Sequence, residues 1–141
     1  MNRIILASHG GLSEGMLDTA RMIVGDLPNV YAVSTQRDET ETIVEATRKL
    51  LYSFAKEDRV FILTDVLSGS VNNDMLSLAA EFPDITVICG MNVCLVLEMV
   101  TMDDDPVGEE IRRIIEESRG QITNCTEELR NAMKQEEEDD L

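Results

Sequence analysis

Basic side chains are scarce in this 141-residue chain: 12 Lys and Arg stand against 28 Asp and Glu, a formal net charge of −16. Such a surface repels phosphate backbones and anionic lipid, so neither nucleic acid nor a membrane surface is expected as a partner. Histidine is scarcer still, with His9 alone, and Cys89, Cys94 and Cys125 form no C-x-x-C pair. No metal site or disulfide framework is therefore expected. No apolar run approaches the roughly 20 residues of a membrane helix. The start, Met1 to Leu6, lacks the basic head and long apolar run of a secretory leader. A reducing, cytoplasmic setting is the expectation. Neither a dinucleotide fingerprint nor a P-loop Gly-Lys-Ser/Thr occurs.

What is present is a regular alternation. Hydrophobic residues make up 43% of the chain, which suits one folded domain, expected over residues 1–134. The excess charge gathers late: from Asp103 onward 14 acids face 5 bases, and residues 135–141 read as a solvated acidic tail. Ile4-Ile5-Leu6-Ala7, Val30-Tyr31-Ala32-Val33, Val60-Phe61-Ile62-Leu63 and Ile85-Thr86-Val87-Ile88 read as short strands. Between them lie amphipathic stretches. Ser13 is the expected cap of a first helix with the stripe Met16, Leu17, Ala20, Ile23 and Val24. Asp38 and Glu41 are the expected capping box of a second, whose stripe is Ile43, Val44, Leu50, Leu51 and Phe54. A third runs through Met75 and Leu78. Strands apolar on both faces, alternating with such helices, predict a doubly wound α/β domain with a mainly parallel four-stranded sheet in the order 2-1-3-4. Residues 121–123 are a candidate extended segment near the end.

That strand order makes the first and third strands neighbours whose following loops diverge to opposite faces, the place where open sheets bind ligands. His9 leaves the first strand and Asp65 leaves the third, so the only histidine and a carboxylate are expected in one crevice. If Asp65 accepts a hydrogen bond from Nδ1–H, the neutral ring keeps its lone pair on Nε2, and the carboxylate stabilises the charge gained when Nε2 bonds an electrophile. In that scheme Asp65 orients the base and accepts no phosphoryl group itself. Gly10 and Gly11 would let the backbone approach a tetrahedral anion, and the Gly69-Ser70 turn would offer a hydroxyl and free N–H groups. Each residue alone has a plainer reading: His9 as a structural or surface residue, Asp65 as a turn or helix cap, and Ser70 as an N-cap.

Ser8-His9-Gly10, Thr64-Asp65 with Gly69-Ser70 and Asn73, and Cys89-Gly90-Met91-Asn92, in that order and followed by Asp103-Asp104-Asp105-Pro106, resemble the mannose-type enzyme IIA domains of the bacterial sugar phosphotransferase system. The likeness covers about the first 105 residues. It implies that His9 is phosphorylated on Nε2 by the phosphocarrier protein HPr. The phosphoryl group would then pass to a cysteine or, normally in this family, a histidine of a IIB partner, with the membrane reached only through IIC and IID permease subunits. Asp65 would hold Nδ1; Gly10, Gly11, Gly69 and Ser70 would line the phosphate site. No cofactor or metal is implied. The resemblance also implies a homodimer exchanging an antiparallel edge strand, for which residues 121–123 are the candidate segment. The sequence departs from the family pattern where Ser68 replaces a glycine, Val71 a proline, and Cys94 another proline. Two other functions remain compatible with the sequence: a phosphoryl donor to a dihydroxyacetone kinase, and a regulatory module that transfers nothing.

Overall fold

Strand β1 (Asn2–His9) forms the centre of the molecule because its apolar run is followed on either side by partners of the same kind. The computed structural model describes residues 1–140. After β1 come α1 (Leu12–Val24), β2 (Val30–Thr35), α2 (Ile43–Ser53), β3 (Arg59–Thr64), α3 (Ser70–Glu81) and β4 (Ile85–Cys89). Three further helices follow: α4 (Val93–Thr101), α5 (Gly108–Arg119) and α6 (Cys125–Asp139). The sheet order is β2-β1-β3-β4 and every pairing is parallel, as the sequence pattern predicts.

Alternate residues along each strand feed two cores. Ile4, Leu6, Phe61 and Leu63 pack with Met16, Leu17 and Ala20 of α1 and with Leu95, Val96 and Met99 of α4. Ile5, Ala7 and Ile62 pack on the other face with Ile43 and Leu51 of α2 and Val71, Met75 and Leu78 of α3. Fully burying side chains of this size contributes about 1.5–3 kcal/mol each, so both faces of the central strands hold the fold together. Because α1 and α3 cover opposite faces, the chain reverses direction across the sheet between β1 and β3. The register pairs His9 with Thr35, and Thr64 with both Ala7 and Cys89, so the carboxyl ends of all four strands share one edge.

Local details differ from the sequence expectations. Helix α1 starts at Leu12, with Gly11 rather than Ser13 at its N-cap position. Ser13 is buried in the first turn, where its Oγ donates to the Val33 carbonyl at 2.9 Å while its N–H donates to Ser8 Oγ at 2.7 Å. A strand-end serine thus satisfies a helix donor that a local cap would otherwise take. Helix α2 is capped by Thr42, whose Oγ1 accepts from the Glu45 N–H at 3.1 Å, not by Asp38. In α1 the stripe ends early: Ile23 and Val24 are exposed, and Val24 lines an open groove with Val93, Leu97 and Ile122.

Residues 121–123 form no strand; they join α5 to α6 as a loop. Residues 135–139 continue α6, a helix that buries none of its residues. The Asp103-Asp104-Asp105-Pro106 segment clasps the start of β1. The Asn2 N–H donates to Asp104 Oδ1 and Asn2 Nδ2 donates to the Asp103 carbonyl, both at 3.0 Å. That motif therefore lies at the opposite end of β1 from His9. Among the described residues, no helix is long and apolar enough to cross a membrane.

Candidate active site

His9 sits at the last position of β1, where the chain leaves the sheet, and its side chain is 50% exposed. Asp65 follows β3 directly, and its carboxylate is only 5% exposed. One carboxylate oxygen, Oδ2, accepts from both the His9 N–H and His9 Nδ1, each at 2.8 Å. The other, Oδ1, accepts from the Val66 N–H at 3.0 Å. A carboxylate with three donors is an acceptor only, so it assigns the proton to Nδ1 and leaves the lone pair on Nε2. Burial by itself raises the Asp65 carboxyl, but the hydrogen bonds from the His9 backbone and ring outweigh it and hold the group below the ordinary carboxylate range. The aspartate is thus a fixed negative charge behind the ring.

Ser70 Oγ lies 3.1 Å from His9 Nε2, at the first residue of α3. With Nδ1 protonated, the serine hydroxyl donates to Nε2. Helix α3 has no side-chain cap from its N-cap residue Gly69, so its positive end opens beside the ring, whereas the first turn of α1 is already served by Ser8. Gly69 fits this place for a steric reason: a Cβ there would stand 3.2 Å from the Val66 carbonyl and 3.6 Å from His9 Cε1. Gly10 has φ +55° and its N–H donates to the Thr35 carbonyl at 2.8 Å, so the chain turns sharply after the histidine. Gly11, by contrast, has an ordinary φ of −82° and open space where a Cβ would be. All six residues expected at the site lie around this one edge; Gly11 is the one whose conformation does not require glycine.

Side chains that the sequence reading passed over hold the site in place. Thr64 Oγ1 donates to Asn72 Oδ1 at 2.7 Å, both residues being buried, which fixes the first turn of α3 to the end of β3. Ser8 ties β1 to α1. On the side of His9 away from Asp65, residues Thr35, Gln36, Arg37 and Asp38 form the opposite wall of an open groove of roughly 750 Å³. That volume far exceeds a single tetrahedral anion and admits a partner's side chain. Their place was readable in outline, since the loop after β2 must share the carboxyl edge, but nothing in the residues themselves marks them.

The departure at Ser68 has a visible cost. Its φ is +63°, the left-handed region that glycine occupies without penalty and other L-residues do not. Replacing Ser68 with Gly is expected to stabilise the fold by about 1 kcal/mol, a rise in Tm of roughly 3 °C. Thermal unfolding followed by circular dichroism checks it; an unchanged or lower Tm would show that the serine is not strained.

Comparison with known proteins places this geometry in context. The sequence model of the EIIA-man family, described as "PTS system fructose IIA component", matches residues 3–116. The sorbose-specific EIIA component of the phosphotransferase system from Klebsiella pneumoniae is 30% identical over 118 residues, spanning 81% of this chain and 87% of that protein. The mannose-specific EIIAB component from Escherichia coli K12 is 28% identical over 110 residues, which is 77% of this chain. The chain spans only about a third of that longer protein, 34% of its length. The crystal structure of a phosphotransferase system EIIA component from Streptococcus agalactiae superposes with a TM-score of 0.77 at 26% identity, over 89% of this chain and 98% of that one.

Proposed function

Since this chain belongs to the EIIA-man family of phosphotransferase-system IIA components, we propose that it relays a phosphoryl group, taking it from phospho-HPr onto His9 Nε2 and passing it to a IIB component. The observation that carries the reading is the single ring held by Asp65 on one nitrogen and open to Ser70 and solvent on the other. The transfer domain would be residues 1–134, acting in the cytoplasm, with sugar uptake and phosphorylation completed by the IIB, IIC and IID subunits.

The step balances without moving a proton through solvent. The Nε2 lone pair attacks phosphorus in line with the donor's P–N bond. As that bond breaks, its electron pair returns to the donor ring, which, protonated on its other nitrogen, departs as a neutral imidazole. His9 keeps its Nδ1 proton, and the positive charge its ring gains lies against the Asp65 carboxylate. Ser70 Oγ–H turns from Nε2 to a phosphoryl oxygen, and the uncapped N-terminus of α3 favours the same negative charge. Catalysis here is mostly positioning of two rings and a loosely held phosphoryl group. A relay must release its partners quickly, which suits a contact of modest area.

The test is incubation with phosphoenolpyruvate, enzyme I and HPr. Acid-labile phosphate on this protein, discharged on adding the IIB component, is the expected result; no incorporation would remove the relay and leave a module that transfers nothing.

A homodimer belongs to the same reading. Its support is the uncovered α6, whose Cys125, Leu129 and Met133 recur every fourth residue, together with the open edge of β4 and the exposed Ile122. An isolated helix of this length is marginal in water, so a covering surface is expected. Sedimentation should show a dimer at micromolar concentration, and a chain ending at Gly120 should run as a monomer. A monomeric full chain would remove the dimer.

A further inference from the structure

Five of the chain's 12 Lys and Arg residues make ion pairs; Arg37 is one of the seven that, among the described residues, make none, and of those seven it alone lines the groove at His9. Arg3 pairs with Asp58, Arg48 with Glu81, Lys49 with Glu41, and Arg113 and Arg119 with carboxylates on α5. Among the described residues, Arg37 has no carboxylate within ion-pair distance, although it follows a strand end and precedes Asp38 and Glu39. It lines the groove that begins at His9 and Gly10. The loop that carries it is fixed at its root: the Gly10 N–H donates to the Thr35 carbonyl, Gln36 Nε2 donates to Ser34 Oγ at 2.7 Å, and the Gln36 N–H donates to Glu39 Oε2 at 3.3 Å. Glu39 is thereby turned toward its own backbone, not toward the guanidinium.

We propose that Arg37 is a phosphate-binding residue: its guanidinium engages the oxygens of the phosphoryl group carried by His9, from the groove wall opposite Ser70. This rests on the reading of His9 as the phosphoryl carrier. The need for such a cation follows from the charge of the molecule. A phosphoryl group on His9 adds up to two negative charges to a protein already at −16, beside the Asp65 carboxylate. Ser70 and the N-terminus of α3 supply only dipoles. An arginine presents a planar fork that matches two phosphoryl oxygens at once, and its long stem reaches across an open groove. Asp38 lines the same groove. Arg37 makes no ion pair with that carboxylate, and a doubly charged phosphoryl group is the stronger attraction for its guanidinium.

The phosphoprotein itself, freed of HPr and enzyme I, gives the decisive readout. The pH midpoint of the ³¹P shift on phospho-His9 should rise by roughly half a unit in Arg37→Ala, because the cation that favours the dianion is gone. Arg37→Lys should recover part of that shift, and Arg48→Ala, remote and already paired, should leave the midpoint where it is. Phosphorylation by phospho-HPr should slow about tenfold in Arg37→Ala. If Arg37 only offset Asp38, the double variant Arg37→Ala/Asp38→Asn would return to the wild-type midpoint, and the proposal would fall. It would fall equally if the transfer rate changed but the midpoint did not, since that marks a contact with the partner protein and not with phosphorus. Absence of phosphate on the wild type would instead overturn the reading of His9, a separate and distinguishable failure.

Discussion

His9→Ala should leave a folded protein that takes up no phosphate at all. The side chain is half exposed and stands at the lip of a groove, so its removal opens no cavity in either core. Asp65 keeps its hydrogen bonds from the residue-9 and residue-66 backbone N–H groups and stays in place. The melting temperature should therefore stay close to that of the wild type, while labelling from phosphoenolpyruvate through enzyme I and HPr falls to background. No second acceptor can substitute, because the chain has no other histidine. Retained labelling in this variant, with a normal melt, would place the phosphate elsewhere and dismantle the site.

Asp65→Asn is the second large effect, and it separates charge from shape. An asparagine can still accept from Nδ1 through its amide oxygen, so the ring can stay in position, but the negative charge behind it is lost. Where an aspartate supports an imidazole that becomes cationic in the reaction, removing the charge costs up to about 10⁴-fold, and the loss expected here is about 10²–10⁴ in the phosphorylation rate. The same variant tests the pH linkage. The folded-state pKa of Asp65 lies below its ordinary value. The stability this carboxylate contributes is complete above the ordinary carboxylate range and disappears as pH falls through the lowered value. Wild type should therefore be the more stable of the two at neutral pH, with the gap closing in acid. A gap that widens on acidification, or a phosphorylation rate equal to wild type, would contradict the role given to Asp65.

Much of this was legible in the sequence because the physics behind it is local or topological. Runs such as Ile4 to Ala7 and Phe61 to Leu63 are apolar on both faces, and only a sheet covered twice buries them. Once α1 and α3 leave adjacent strands toward opposite faces, His9 and Asp65 must meet. The features that were not legible depend on contacts through space. Ser13 looked like a cap because it stands just before a stripe; in the fold the donor it would have served is taken by Ser8, from the end of a strand. Asp38 with Glu41 is the capping box expected from the sequence, whereas the fold uses the next four residues, Thr42 to Glu45. Ile43, 2% exposed, is the first residue of α2 and packs in the core that α2 and α3 share with the sheet, so the cap falls at the residue before it. Arg37 carries no motif; only the groove wall sets it apart. Residues 121–123 form a loop that pairs with neither of the sheet's free edges, β2 or β4.

The account stands most directly on which nitrogen carries phosphorus. In the ¹⁵N-labelled phosphoprotein, ³¹P–¹⁵N coupling should appear at His9 Nε2, with the Nδ1 proton retained in slow exchange against Asp65. Phosphorus on Nδ1, or a ring whose Nδ1 proton exchanges freely, would mean that the carboxylate does not hold the imidazole as described.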